Sequence, residues 1–95
     1  MPGYIIARVK VTDTDKYWGY LKVTPAIVAK YGGKFIIRGG EKVTLEGAPI
    51  EDRIVVIEFP NLEKAKAWYN SKEYQDARNL REGAAEASFC AVDGV

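Results

Sequence analysis

Arginine and glutamate are the chemical instruments of this chain, which contains no histidine and a single cysteine, Cys90. Without an imidazole, no side chain has an ordinary pKa near neutrality. Ser–His–Asp and Cys–His nucleophilic systems are excluded, as are histidine-ligated haem and non-haem iron. One cysteine also excludes an ordinary structural zinc site. No metal or other cofactor is expected. Arg8 and Glu58 are the first candidates. Arg8 follows Tyr4 by four residues and Glu58 follows Ile54 by four, each near the start of an apolar strand-like run. If those runs are neighbouring strands, the two side chains should meet, and buried charges must be paired. The pair then serves either as a structural ion pair that fixes register or dimer geometry, or as a grip for an anion or carbonyl with Glu58 as candidate catalytic base.

Arg38 precedes Gly39-Gly40, where bare backbone permits close approach. Its planar fork suits a carboxylate or phosphate. The structural alternative is a salt bridge to Glu41, to Glu58 or to a partner chain. The double glycine lacks the GxGxxG and GxxxxGK patterns of phosphate loops. Arg81, with Glu82 and Glu86, flanks the last helix–strand turn. Charges there are solvated by default, and Arg81 is the best of the three for a site. Trp18, Trp68, Tyr69 and Tyr74 fall on helical segments. They are core, or they wall an apolar pocket between helices and sheet with Arg38 at its mouth. The candidate ligand-binding set is therefore Arg38, Arg8, Arg81, Tyr4 and Trp68. Cys90 falls on a strand and reads as an inert buried thiol.

The bulk properties narrow the partners. Fourteen basic residues face thirteen acidic ones, a net charge of +1, and the signs are interleaved. The electrostatic surplus that drives nucleic-acid binding is missing, so no nucleic-acid partner is expected. No run approaches the ~20 apolar residues of a membrane span, and Met1–Val11 lacks the shape of a signal peptide. No internal disulfide can form, which fits a reducing compartment; the cytoplasm is expected. Ninety-five residues fit a single domain, 1–95.

The elements that must position these side chains follow from periodicity. Gly3–Val11 alternates with the period of a strand. Thr12–Asp15 offers helix N-caps, after which Tyr17, Leu21, Thr24, Val28 and Tyr31 form one helical stripe. Pro25 interrupts it, predicting a kink near Val23 or a second helix capped by Thr24. Gly32-Gly33 ends the helix. Lys34–Arg38 is a short strand, and Gly39-Gly40 a turn or bulge. Glu41–Gly47 is a strand extension or an arm, and Ala48–Asp52 a loop. Arg53–Phe59 is apolar at both parities, as in a strand covered on both faces. Asn61 caps a helix bearing Leu62, Ala65, Trp68 and Tyr69. Ser71 caps another, from Lys72 to about Arg81, and Glu86–Val92 is the last strand.

The order β-α-β-β-α-β predicts an α+β, ferredoxin-like sandwich with a four-stranded antiparallel sheet. Helices cover only one face of such a sheet. The other face, with Tyr4, Ile6, Val92 and half of Ile54–Ile57, needs its own cover. A second copy related by a two-fold axis is the simplest one. Burying ~1000 Å2 of apolar surface at ~25 cal/mol per Å2 gives tens of kcal/mol before entropy costs. The expected partner is the chain itself, as a homodimer.

These segments carry a resemblance. Gly3-Tyr4-Ile5-Ile6, Ala29-Lys30-Tyr31-Gly32-Gly33, Arg38-Gly39-Gly40, Leu45-Glu46-Gly47, Glu58-Phe59-Pro60, Ala67-Trp68-Tyr69-Asn70-Ser71, Glu73-Tyr74 and Leu80-Arg81-Glu82-Gly83-Ala84 span nearly the whole chain. It resembles the family known as domain of unknown function 1330, in the dimeric α/β-barrel superfamily. That resemblance implies a dimeric α/β barrel but no settled activity. The superfamily includes small monooxygenases, lactone isomerases, haem-handling enzymes and stress proteins, so fold alone assigns no function. The absent histidine counts against the haem-handling branch.

Two functions stand at this point. One is a protein that binds or transforms a small aromatic or acidic metabolite without a cofactor. The other is a non-catalytic dimeric interaction or stress-response module whose ion pairs are purely structural.

Overall fold

The structure, a computed structural model, describes every residue from Met1 to Val95. Its elements are β1 (Gly3–Val11), α1 (Thr14–Lys30), β2 (Lys34–Arg38), β3 (Arg53–Phe59), α2 (Leu62–Asn70), α3 (Lys72–Asn79) and β4 (Ala85–Asp93). The strands form one antiparallel sheet in the order β2-β3-β1-β4. This is the ferredoxin-like βαββαβ arrangement that the period-two and helical stripes predict.

Alternation decides what each face of the sheet does. Ile5, Ala7 and Val9 of β1 and Val55, Ile57 and Phe59 of β3 are buried beneath the helices. Val28 of α1, Trp68 of α2 and Tyr74 of α3 close the core over them. The intervening residues point the other way. Ile6 and Val92 are exposed there, and Ile54 and Val56 are half-buried. Ile6 stands opposite Val56 on one side and Cys90 on the other, so these side chains form a contiguous patch. Polar pairs border it. The Tyr4 hydroxyl donates to Glu58 Oε2 (3.4 Å), and Lys34 Nζ lies 3.7 Å from Glu58 Oε1. At the other end Arg8 Nη2 lies 3.5 Å from Asp52 Oδ2.

Helix α1 departs from expectation. Asp13 caps it by accepting from the Lys16 backbone N–H, but Pro25 neither divides nor ends it. Proline has no N–H to give to the carbonyl one turn back, which is Leu21. Arg38 Nη2 donates to that carbonyl instead, at 3.1 Å. The tertiary donor satisfies the acceptor that the proline strands, and one continuous helix survives. Tyr31 and the positive φ of Gly32 (79°) then close it.

Between β2 and β3, Glu41–Glu51 is exposed and has no regular structure; Leu45 is 92 % accessible. The ladder between β2 and β3 ends at Arg38 opposite Val55, and the segment pairs with no strand, so the strand extension does not form. The segment is an arm, drawn together where the Ile50 N–H donates to Thr44 Oγ1 (3.1 Å). No helix is long and apolar enough to cross a membrane.

Candidate functional site

The site begins with an irregularity in β2. Phe35 pairs with Ile57, but the next pairs are Ile37 with Val56 and Arg38 with Val55, so Ile36 is an extra residue. One inserted residue inverts the facing of everything after it. Without the bulge Arg38 would point to the outer face with Lys34. With it, Arg38 turns to the helix side, where its guanidinium stacks 4.4 Å from the Phe35 ring centroid.

There Arg38 lines a cavity between α1 and the sheet. Tyr17, Tyr20 and Thr24 form its helix wall, Ala7, Val55 and Ile57 its floor, and Trp68 and Phe89 its inner end. Its volume is about 20 Å3, room for a water-sized group. Arg53 also lines it. The Arg53 guanidinium lies against Gly39, where an added Cβ would collide with Nη1. Gly39, at φ 70°, is therefore the space that Arg53 occupies rather than an approach for a ligand. Arg53 Nη2 donates to the Arg38 carbonyl (3.4 Å), which ties the two arginines together at one rim.

A third arginine sits behind the inner wall. Arg81 is only 8 % accessible. Its guanidinium lies 5.4 Å from the Tyr20 ring centroid and 5.1 Å from that of Phe89. Its Nη2 donates to the Tyr74 hydroxyl (3.4 Å), and the Tyr74 and Tyr20 hydroxyls are 2.8 Å apart. Burial alone would lower the Arg81 pKa, but hydrogen bonds and charge from Tyr74 and Tyr20 lift it above the ordinary range. It is charged at all ordinary pH. Burial pushes the Tyr20 phenol up, with Tyr74 adding to the effect. Burial also raises Tyr17, against the pull of Arg53, Arg81 and Arg38. Both tyrosines are neutral O–H groups near neutrality.

None of the three arginines has a carboxylate partner, because the ion pairs of the chain all lie elsewhere. The buried polar side-chain atoms without a partner are Arg53 Nε, Trp68 Nε1 and Arg81 Nε. All three are donors. Arg53 and Trp68 line the cavity, and Arg81 packs against its Tyr20 and Phe89 walls. A buried donor left unmade costs about 1–3 kcal/mol. The arrangement therefore suits an acceptor, and an anion above all.

The structure separates the residues that the sequence groups. Arg8 and Glu58 do not meet. In the antiparallel β1–β3 ladder Arg8 stands opposite Ile54 and Glu58 opposite Tyr4, so equal offsets from two strand starts fall at opposite ends. Both lie on the outer face with Tyr4, away from the cavity. Arg38 reaches neither Glu41 nor Glu58, since its fork is turned toward α1. Arg38 and Trp68 share the cavity, and Arg81 adjoins it. Trp18 is 56 % accessible and belongs to neither core nor pocket. Cys90 is exposed rather than buried, because its parity matches Ile6 on the open face. Sequence reasoning missed Arg53, Tyr17 and Tyr20. Tyr17 was legible as a member of the helical stripe. Nothing in the sequence marks Arg53 beyond its place at the start of a strand. No three His, Cys, Asp or Glu side chains gather where they could hold a metal.

Comparison with known proteins bears on the fold. A family model described as a domain of unknown function (DUF1330) matches residues 2–95. No curated protein matches the chain. Among solved structures, a protein of unknown function from Rhodopseudomonas palustris is similar, with TM-score 0.75 and 18% identity over 99% of this chain and 82% of that one. A dimeric ferredoxin-like protein of unknown function from Jannaschia gives 0.74 at 10% identity, over 99% and 100%. A cofactor-independent oxygenase from Streptomyces nogalater gives 0.61 at 10% identity, over 99% and 93%.

Proposed function

The chain belongs to the DUF1330 family, and from that premise we propose that it is a homodimer that binds a small aromatic acid in the cavity between α1 and the sheet. One observation carries this reading: Arg38 and Arg53 line one aromatic cavity and Arg81 packs behind its Tyr20 and Phe89 walls, with no carboxylate among them. A ring packs against Tyr17, Tyr20, Phe35 and Trp68, and its acid takes the Arg38–Arg53 rim. A ring enters when α1 and β2 part at the Arg38–Leu21 hydrogen bond. Glu58 is on the far face, so the cavity has no carboxylate base, and the reading is one of binding. The exposed patch around Ile6, Val56 and Val92, bordered by Tyr4–Glu58–Lys34 and Arg8–Asp52, has the apolar centre and polar rim of an interface. Solved relatives of the same fold described as dimeric support the pairing.

A cavity of about 20 Å3 favours a second reading, a non-catalytic dimeric module whose arginines only tie elements together. Benzoate separates the two. Under the first, benzoate shifts the amide signals around Tyr20 and Arg38 in wild type and shifts them far less in Arg38→Ala. Under the second, wild type shows no saturable shift and Arg38→Ala changes stability alone.

A further inference from the structure

The hydroxyls of Tyr74 and Tyr20 join a buried cation to the cavity. Arginine only donates, so the Tyr74 oxygen accepts from Arg81 Nη2 (3.4 Å). Either hydroxyl can donate across the 2.8 Å between them, and with Arg81 donating to its oxygen the Tyr74 proton is free to be the one that turns to Tyr20. Each bond in such a chain polarises the next. In that arrangement the Tyr20 proton has no protein acceptor, and Tyr20 lines the cavity. Tyr74 is fully buried and does not line it. The rim arginines, Arg38 and Arg53, line the same cavity at β2 and β3.

We propose that Tyr20 is the ligand-contacting end of a relay that starts at Arg81, so that the site takes ring acids carrying a second ionisable oxygen across the ring from the acid. This rests on the reading of the cavity as an aromatic-acid site and names which acids. The acid meets the rim, and the second oxygen accepts from Tyr20. The relay carries a net positive charge with no carboxylate, so it favours that oxygen in its anionic form. The charged and titratable groups facing Tyr20 are Tyr17 on its own helix, Tyr74 on α3 and Arg81 after it. Arg38 and Arg53 reach the same cavity from the sheet. None of them is a carboxylate.

The test uses 4-hydroxy-3-nitrobenzoate, whose phenolate absorbs visible light, with 3-nitrobenzoate as the ligand lacking the second oxygen. Bound to wild type, the nitrophenol should ionise about one to three pH units below its value in free solution. Tyr20→Phe keeps the ring and removes only the terminal hydroxyl; it should return the titration toward the free value. Tyr74→Phe breaks the relay away from the cavity and should reduce the shift as well. A nitrophenol that titrates as the free compound, or a shift that survives Tyr20→Phe, overturns the relay while the aromatic-acid reading stands. If 3-nitrobenzoate itself fails to bind wild type, both fall together.

Discussion

Arg38 donates to the Leu21 carbonyl at 3.1 Å, and Leu21 is the residue whose intrahelical partner Pro25 removes. A helix-breaking residue and a strand-end arginine are thus two halves of one device. Pro25→Ala supplies the missing N–H and returns Leu21 to the helix ladder. A proline inside a helix costs about 3 kcal/mol, and Arg38 offsets part of that here. The variant should gain stability of on the order of 1 kcal/mol in urea unfolding. A loss of stability would show that the proline is needed where it stands.

The phenols give the protein an alkaline limit. The Tyr20 pKa is raised in the folded chain by burial, from an ordinary 10.0. A folded-state pKa above the unfolded one favours folding fully below the unfolded value. That contribution is lost as pH rises past it, because only the unfolded chain then releases its proton. Stability should hold up to about pH 10 and fall beyond it by about 1.4 kcal/mol per pH unit for each such phenol. Tyr17 adds a second phenol of the same sign. Tyr20→Phe should lower the alkaline slope by one phenol's share in chemical unfolding at stepped pH. An unchanged slope would mean that Tyr20 is not the responsible group.

Acid acts on a different pair. Lys30 on α1 and Glu73 on α3 form an exposed ion pair, which raises Lys30 and lowers Glu73 from its ordinary 4.5. A depressed carboxylate stabilises above its unfolded value, and that contribution disappears as pH falls below 4.5. Glu73→Gln should flatten the acid limb slightly, and added salt should shrink the difference, as for any exposed pair. A difference that persists in high salt would contradict this assignment.

The open sheet face makes its own prediction. Ile6 stands between Val56 and Cys90 at the centre of the outer patch. Wild type should run as a dimer in light scattering at micromolar concentration. Ile6→Lys places a charge at the centre of the proposed pairing face and leaves the helix-side core intact. It should run as a folded monomer. A dimer that survives the substitution places the interface elsewhere.

Much of the fold is legible because strand alternation and caps are local. Gly3–Val11 is a strand as its period-two pattern predicts, Lys34–Arg38 and Arg53–Phe59 are strands as their apolar runs predict, and Asn61 and Ser71 cap helices as their residue types predict. The site is less legible because it depends on register. The bulge at Ile36 leaves no mark in a run of apolar residues, yet it decides which way Arg38 faces. The Arg8–Glu58 pairing fails for a related reason: adjacency of strands was readable, but their antiparallel direction places equal offsets at opposite ends. Pro25 shows the same limit, since a local rule predicts a break and a side chain from β2 removes the need for one.

The proposed occupant of the cavity beside Arg38 and Arg53 is an aromatic acid. A crystal of the protein soaked with 4-bromobenzoate tests it directly, because the bromine marks the ring by anomalous scattering. One peak per protomer is expected between α1 and the sheet, with the carboxylate on the Arg38–Arg53 rim and α1 displaced from β2. A closed cavity with no bromine peak inside it, in a crystal that takes up the compound elsewhere or not at all, would contradict it.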